Sequence, residues 1–224
     1  MRTMRPNPVI AEVPTAPIIR ELGDLRFSGL LGLEAWKRLP DAIQKRFSHR
    51  LRSGQTAIYT GKIDQIIMSH SGKILAHALR IIGAPLPLRM ETGVAAIVTV
   101  TEDGKTGGQI WSRLYASRDK FPQIIQSSKR FSGPTGLEEY IGFGITMALT
   151  ARTTHKAMIF ESAGYCFNLW KCRLALPHFM TPGQVTVTHE AILGDTFRFT
   201  LQLVHPRLGT LIRQSGVFHE SRAA

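Results

Sequence analysis

The clearest alternation of apolar and polar positions in the chain runs from Gly183 to Phe218. Three stretches within it alternate with a period of two, which places successive side chains on opposite faces of a β-strand. Two short turns separate these stretches, one containing Gly194 and the other running from Pro206 to Gly209. The segment therefore predicts three antiparallel strands joined by hairpins.

Loop length determines which residues pair across these hairpins. With both loops closed, His189 lies opposite Phe199 on the next strand, and Phe199 lies opposite Gly216 on the last one. The apolar faces of all three strands then coincide without adjustment. The same register sets Glu190 opposite Arg198 on the outer face, where we expect a cross-strand ion pair with a structural role.

Three polar side chains share the apolar inner face of these strands, namely His189, His205 and Gln214. Burying a polar group without a partner costs roughly 1–3 kcal/mol, so two interpretations stay open. In the first, backbone groups, other side chains or trapped water satisfy them. In the second, they line a cavity and orient the polar end of a ligand. The candidate ligand-binding residues are therefore His189, Gln214, His205 and Phe199.

Earlier parts of the chain add helices and further strands. Residues 1–24 are rich in proline and predict a flexible leader, and short helices are predicted between Phe27 and Phe47. Apolar residues at helical spacing predict a longer helix from Ile66 to Ile82, whereas residues 117–134 have the pattern of a loop. Further strands are predicted at 55–63, 94–101, 109–116, 140–151, 157–161 and 165–174.

Together these elements predict an α+β fold in one domain, residues 25–220, followed by a disordered tail at 221–224. We expect a single curved antiparallel sheet of about eight or nine strands, wrapped as a half-barrel around the helix at 66–82. The order of elements is similar to that of helix-grip ligand carriers, and a closed lipocalin-like barrel is the alternative. Both architectures hold an apolar ligand in the concave side of the sheet.

The net charge of +12 over 224 residues changes the picture of the surface. Such an excess attracts polyanions, which include nucleic acid, anionic lipid and acidic proteins. The basic residues are scattered, however, and no run reaches the length of a nucleic-acid-binding tail. We therefore expect a solvated basic surface, keep an anionic membrane surface open as a partner, and regard nucleic acid as an unfavoured partner.

The two cysteines, Cys166 and Cys172, fall in one predicted strand, about 20 Å apart at ~3.3 Å per residue, which is beyond disulfide reach. As free thiols they indicate a reducing compartment. Residues 1–20 contain arginines and four prolines but no continuous apolar core, so neither a secretory signal peptide nor a spanning helix is expected. The expected location is the cytoplasm, with a peripheral position at the inner membrane surface left open.

Motifs that would identify a particular chemistry are lacking in the sequence. Gly142-Phe143-Gly144 lacks the third glycine of a dinucleotide fingerprint and falls inside a predicted strand. The histidines show no zinc spacing, so neither a metal nor a cofactor is expected. Glu138 and Glu139 point to opposite faces of a strand, which argues against shared acid–base work. The arginine in Trp111-x-Arg113-x-Tyr115 has two interpretations, binding of a ligand anion or stacking on the sheet.

Several short motifs occur in a characteristic order. They are Leu39-Pro40 before a basic helix, Trp111-x-Arg113-x-Tyr115, Gly136-Leu137-x-Glu139-x-x-Gly142, Pro177 to Gly183, Gly194-Asp195-x-Phe197-x-Phe199, His205-Pro206-x-x-Gly209 and Gly216-Val217-Phe218. In this order they resemble the bacterial domain-of-unknown-function family four-one-six-six, over about residues 27–218. The family has no established activity, so the resemblance implies no catalytic residue. The family often occurs alone or follows a saccharopine-dehydrogenase-like reductase domain, which implies an accessory role that here would act between chains.

Three functions follow as hypotheses. The favoured one is a non-catalytic module that binds an apolar or amphipathic small molecule in the concave face of its sheet. The second is an accessory or interaction domain for a reductase partner, and the third is an enzyme that uses His189 or His205. A cavity of a few hundred Å³ would favour the first. An exposed apolar patch over a filled interior would favour the second, and a histidine bonded to a carboxylate in a cleft the third.

Overall fold

The computed structural model describes residues 23–51, 54–83, 85–170 and 172–221. The leader expected at 1–24 lies outside these residues except for its last two positions, and the tail expected at 221–224 lies outside them except for its first. Short helices and long strands make up the described chain. The helices are α1 (Arg26–Leu31), α2 (Leu33–Lys37), α3 (Asp41–Ser48) and α4 (His70–Ala78), with 3₁₀ turns at Leu79–Ile82 and His178–Met180.

The sheet contains eleven strands, all paired antiparallel. They are β1 (Thr56–Met68), β2 (Ala95–Asp103), β3 (Gly108–Tyr115), β4 (Gln123–Arg130), β5 (Glu138–Gly142), β6 (Ile145–Thr153), β7 (Ala157–Leu169), β8 (Cys172–Ala175), β9 (Gln184–Ala191), β10 (Thr196–His205) and β11 (Gly209–Ser221). Their order is β6-β5-β4-β3-β2-β1-β11-β10-β9-β7-β8, and β6 also pairs with β7.

Ten of these strands close into a barrel, because β6 and β7 join the two sides of the sheet. Strand β8 is an addition that pairs only with the end of β7. The half-barrel of about eight or nine strands expected from the sequence is therefore wrong in extent, and closure is the correct alternative. Closure leaves the ten barrel strands without an unpaired edge along most of their length.

The register predicted for the last three strands is confirmed. Phe199 pairs with His189 on β9 and with Gly216 on β11, and Arg198 lies opposite Glu190. The expected ion pair is wrong in its partner, since the Arg198 guanidinium lies 3.3 Å from the carboxylate of Asp64 on β1. The pairing of β1 with β11 shifts register between Ile63 and Gln65, and this bulge turns the Asp64 side chain towards the outer face.

Helices α1 to α3 cover one end of the barrel, which we call the helical end. Pro40 separates α2 from α3 as predicted, and α3 buries Ile43 and Phe47. The Phe47 ring packs edge-to-face or tilted against three other rings. These belong to Phe27, Phe160 and His189, at centroid distances of 5.2–5.7 Å. Aromatic packing of this kind attaches the three short helices to the barrel core.

The helix predicted at 66–82 begins later and lies elsewhere than expected. Strand β1 continues to Met68, and α4 begins at His70 after Ser69, whose hydroxyl accepts a hydrogen bond from the Gly72 N–H at 3.1 Å. The sheet does not wrap around α4. Instead α4 and the following 3₁₀ turn cross the other end of the barrel, because Gly72 packs on the Leu211 carbonyl of β11 while the Ile82 carbonyl packs on Gly142 of β5.

Strands β11 and β5 lie on opposite sides of the barrel in the strand order. The crossing segment therefore covers the barrel from side to side. We call this second end the loop end. It consists of residues 69–83 and 85–94, residues 116–122, residues 143–144, residue 170, residues 176–183 and residues 206–208.

Three further expectations about strands are wrong. Residues 123–130 form β4 although a loop was predicted there. Gly142-Phe143-Gly144 is a turn between β5 and β6, and all three residues have positive φ. Trp170 also has positive φ and turns β7 into β8, so Cys166 and Cys172 lie on different strands of one hairpin. Both cysteines are free, as predicted.

Candidate functional site

A cavity of about 80 Å³ lies inside the barrel beneath the loop end. Most of its wall is apolar, and β9 and β10 contribute Val185, Val187, Phe199, Leu201 and Leu203 to it. Its volume is well below the ~300–1,000 Å³ of pockets that enclose a drug-sized ligand. A second cavity of about 20 Å³ lies beside it and shares Pro87, Tyr115 and Gln214 with the first.

A short segment closes the outer side of both cavities. We call residues 85–88 the proline lid, since Pro85, Leu86 and Pro87 all line the larger cavity. The side-chain amide of Gln123 holds the lid by two hydrogen bonds. Its oxygen accepts from the Leu88 N–H at 2.8 Å, and its nitrogen donates to the Leu86 carbonyl at 3.0 Å. The lid is thus attached to the start of β4 through one side chain.

Charged side chains meet at the inner wall of the cavity, and we call Arg113, Ser127, Lys129 and Glu139 the interior cluster. The Lys129 ammonium lies 2.9 Å from one Glu139 oxygen, and an Arg113 nitrogen lies 3.5 Å from the other. The Ser127 hydroxyl donates to the same second oxygen at 2.6 Å and accepts from Arg113 at 3.1 Å. Arg113 and Glu139 line the cavity directly.

Strand alternation places these groups inside the barrel. Lys129 and Glu139 are direct partners across β4 and β5, so their side chains project to the same face. Glu138, one residue earlier, points outward and pairs with Arg173 at 2.7 Å. The prediction that the two adjacent glutamates point apart is therefore confirmed. The Lys129 ammonium also lies 5.2 Å from the centre of the Trp111 ring, a cation–π contact that favours its charged form.

The cluster shifts the pKa values of its members in a consistent way. Burial alone would raise the pKa of Glu139. The charges of Lys129 and Arg113 and the hydrogen bonds from Ser127 and Lys129 outweigh burial and lower that pKa to about 2. Burial lowers the pKa of Lys129, and its pairing with Glu139 offsets part of that effect. Glu139 is therefore ionised at neutral pH.

Two of the four predicted site residues, Gln214 and Phe199, line the larger cavity. The Gln214 side chain lies beside the Tyr115 hydroxyl and acts on its pKa, while the Gln214 oxygen has no hydrogen-bond partner among the described residues. Burial raises the pKa of Tyr115, so this phenol is neutral at physiological pH. The pair supplies uncharged polar groups beside Arg113.

His189 lies deeper, on the side towards the helical end. The rings of Phe47, Trp111, Phe197 and Phe199 all lie within 6.1 Å of its centroid. Burial lowers its pKa well below 6.5, and the charges of Arg46, Lys129 and Arg113 lower it further, so the ring is neutral at pH 7. Its Nδ1 has no hydrogen-bond partner in the part of the chain that the structure describes.

His205 does not join the cavity, although the alternation pattern placed it on the inner face. The pairing of β10 with β11 shifts register between Leu203 and Val204, and this irregularity carries His205 out of the alternating series. Its Nδ1 accepts the backbone N–H groups of Arg207 and Leu208 at 3.2 and 3.3 Å. With these two hydrogen bonds, His205 closes the β10–β11 turn.

Sequence reasoning missed Lys129 altogether and set Glu139 aside. The inward positions of β4 are Ile125, Ser127 and Lys129, and two polar residues among three hide the apolar alternation that marks a strand. The available signal is the opposite charge of Lys129 and Glu139 across a hairpin at 123–142, and it can be used only once 123–130 is recognised as a strand. Arg113 shares the inner face of β3 with Trp111 and Tyr115, as residues two apart on a strand do, and it lines the cavity together with Tyr115.

Comparison with known proteins gives one match. A family model described as a domain of unknown function (DUF4166) matches residues 39–218, which is most of the chain. No curated protein and no solved structure matches the chain. Within the described residues, no helix is both long and apolar enough to cross a membrane. The same residues contain no group of three or more metal-ligating side chains.

Proposed function

The chain belongs to the DUF4166 family, and we propose that this member binds an amphipathic small molecule inside its barrel. The apolar part of the ligand would lie against Val187, Leu201 and their neighbours. The polar end would meet Arg113, Tyr115 and Gln214. The observation that carries the proposal is a set of polar groups at the inner wall of an otherwise apolar cavity, where apolar side chains would be cheaper to bury.

The charge of the interior cluster favours an anionic polar end. Lys129 and Arg113 carry two positive charges against the single negative charge of Glu139. An uncompensated charge is costly to keep in a barrel interior. A ligand carboxylate beside Arg113 would balance the cluster, because a guanidinium offers several N–H donors in a geometry that suits a carboxylate.

The small size of the closed cavity supports entry through a moving lid. About 80 Å³ is enough for a short part of such a ligand only. The two cavities adjoin under Pro87, so a displaced proline lid would join them and open them to the exterior. Among the described residues, the two Gln123 hydrogen bonds tie the lid to β4, and Leu86 packs in the core. Opening the lid would therefore break two hydrogen bonds and expose one buried leucine, a local change rather than global unfolding.

Binding can be tested with three twelve-carbon amphiphiles that differ only in the head group. We expect dodecanoate to bind more tightly than dodecanol, and dodecylamine to bind weakest, because the ammonium group would face Arg113. Native mass spectrometry of the purified protein would identify any ligand that it already carries. Equal affinity for all three amphiphiles would contradict the charge argument, and failure of all three to bind would overturn the proposed function.

Variants locate the binding site. Gln214→Leu should weaken dodecanoate binding while its melting temperature is kept or raised, because a polar group of the cavity is removed. Gln202→Leu, next to Leu201 but on the outer face of β10, is the matched control and should bind as the unmodified protein does. An unchanged affinity of folded Gln214→Leu would exclude this residue from the site.

The enzyme hypothesis has less geometric support. An enzyme using His189 would need a proton partner for that ring, and aromatic side chains surround it instead. His205 is engaged in its turn. The accessory role beside a reductase stays a prediction, and binding assays with a separately produced reductase of the saccharopine-dehydrogenase-like class would test it.

A further inference from the structure

Exposed aromatic side chains lie at only one end of the described barrel. Four such side chains are exposed in the described residues: Trp170 at 98 %, Phe121 at 91 %, Phe179 at 84 % and Phe143 at 69 %. Each belongs to a different connection of the loop end. At the helical end, the exposed large apolar side chains are aliphatic, and they are Leu25, Leu33, Ile192 and Leu193. The exposed aromatic surface is therefore strongly one-sided.

Contacts between the loops join three of these four connections, and the fourth, which carries Phe179, reaches the cavity beneath them through Pro182. The Asn168 side chain donates to the Gly144 carbonyl at 3.1 Å, which joins the end of β7 to the turn that carries Phe143. Arg89 donates to the Phe121 carbonyl at 2.7 Å, which joins the β3–β4 loop to the segment after the lid. The Ile82 carbonyl packs on Gly142 and brings the crossing segment to the same turn.

Backbone conformation directs two of these side chains outward. Phe143 and Trp170 have φ values of 47° and 56°, a left-handed conformation that non-glycine residues seldom adopt. Each occupies the tip of a tight connection, and neither ring contributes to the core. A non-glycine residue in this conformation costs free energy, and such residues cluster at functional sites.

The surroundings of these aromatic side chains are basic. The described loop-end residues contain six lysines and arginines against two acidic residues, Glu91 and Asp119. The basic ones are Lys73, Arg80, Arg89, Arg118, Lys120 and Arg207. Aromatic residues among basic ones suit the interface of a bilayer, where rings sit at the level of the head groups and cations meet anionic lipid.

We propose that the loop end docks on the surface of an anionic lipid bilayer, with Trp170, Phe143, Phe121 and Phe179 inserted at the head-group level. A second copy of this chain is a poorer occupant, because two surfaces of the same positive charge would repel each other. In the docked orientation the proline lid faces the lipid, so an amphiphile could pass between bilayer and cavity. Docking itself does not require a ligand in the cavity.

Vesicle flotation with the full chain tests the proposal. The probes are vesicles of phosphatidylcholine alone and of phosphatidylcholine mixed with phosphatidylglycerol. We expect the protein to float with the anionic vesicles at low salt and to be released near 1 M salt, where charges are screened beyond about 3 Å. Absence of flotation with anionic vesicles at low salt would overturn the proposal, whatever the outcome of the amphiphile experiments.

Matched variants identify the surface that docks. Trp170→Asn and Phe143→Asn keep a residue that tolerates positive φ, and each should weaken vesicle binding by about ten-fold. The control is Leu193→Asn, which removes an 87 % exposed apolar side chain at the helical end and should leave binding unchanged. Equal effects of all three variants would overturn the assignment to the loop end. Concentration-dependent dimerisation that Trp170→Asn abolishes would assign the surface to a second copy instead.

Charge variants separate lipid attraction from the overall net charge. Lys73→Gln with Arg80→Gln at the loop end should reduce flotation with anionic vesicles. Lys105→Gln with Lys156→Gln removes the same charge from exposed turns at the helical end and should have a much smaller effect. Equal losses from the two pairs would mean that net charge alone governs binding, which would contradict an oriented docking.

Discussion

The Lys129 ammonium lies 2.9 Å from the Glu139 carboxylate, and the two residues are cross-strand partners in the barrel interior. Arg113 is the third charged member of this cluster. Because two cations share one anion, the three charges are not equivalent. Removal of the anion leaves two like charges buried together, whereas removal of Lys129 leaves a balanced pair.

Glu139→Gln should therefore destabilise the protein more than Lys129→Met does. We expect Glu139→Gln to lower the free energy of unfolding by about 3–5 kcal/mol, the usual result of leaving a buried charge unpaired. Methionine fills the volume of the lysine stem and leaves the Arg113–Glu139 pair in place. Urea denaturation of both variants measures the difference. A larger loss for Lys129→Met would show that the cluster is not governed by charge balance.

Acid should destabilise the protein through His189. Its pKa is lowered in the folded protein, so below its unfolded value of about 6.5 the unfolded chain binds a proton that the folded one does not. The contribution of His189 to the free energy of unfolding is complete above pH 6.5. It is lost as the pH falls towards the pKa of His189 in the folded protein, by up to about 1.4 kcal/mol per pH unit. Glu139 keeps its charge between pH 5 and 8, because its pKa is lowered to about 2. Arg46, Lys129 and Arg113 are the other charged side chains that act on the ring.

Denaturation curves at pH 7.5, 6 and 5 for the unmodified protein and His189→Leu test this dependence. The variant should lack the His189 contribution, so its stability should fall less steeply below pH 6.5. The other histidines are common to both proteins and cancel in the comparison. Parallel pH profiles would mean that His189 takes up a proton in the folded barrel.

Gly72→Ala should detach α4 from the barrel. A Cβ at this position would clash with the backbone carbonyl of Leu211, and backbone cannot rotate away as a side chain can. We expect a loss of about 1–3 kcal/mol, as for overpacked cores. The matched control is Gly29→Ala in α1, where a Cβ meets no atom within 4 Å and alanine should add roughly 0.5–1 kcal/mol. Thermal unfolding gives the melting temperature of each variant. Equal changes of the two melting temperatures in the same direction would contradict the packing argument.

The two thiols should react at different rates in the folded protein. Cys172 is exposed on β8, whereas Cys166 is half-buried on β7. A thiol reagent should modify one group rapidly and the second slowly, and both should react at once after unfolding. Cys172→Ser should abolish the fast phase. A total of fewer than two thiols in the unfolded, unreduced protein would reveal a disulfide and contradict the assignment.

The sequence was sufficient for the last three strands because their register depends on local features. Alternation and loop length set Phe199 between His189 and Gly216, and both features are present within a few tens of residues. Closure of the barrel depends on the pairing of β6 with β7 beyond a turn and on that of β1 with β11. No local pattern encodes the second of these pairings. The half-barrel expectation failed for this reason.

The interior cluster escaped prediction for a different physical reason. A charged residue on an inner face has the same sequence pattern as one on a solvated face, since only tertiary partners distinguish the two. Lys129 could be placed only once β4 was known to pair with β5. The start predicted for α4 shows a related ambiguity, because Ile66, Ile67 and Met68 form a short apolar run that suits a strand as well as a buried helical turn.

The pairing of β1 with β11 has a consequence for folding during synthesis on the ribosome. One edge of β1 can pair with β2 early, but the other must wait until residues 209–221 have been synthesised. During that interval the unpaired N–H and C=O groups of β1 can form hydrogen bonds with a strand of another nascent chain. The completed barrel is protected from such strand pairing. The risk of aggregation is therefore greatest while the chain is being translated. A chaperone that shields strand edges would act there to greatest effect.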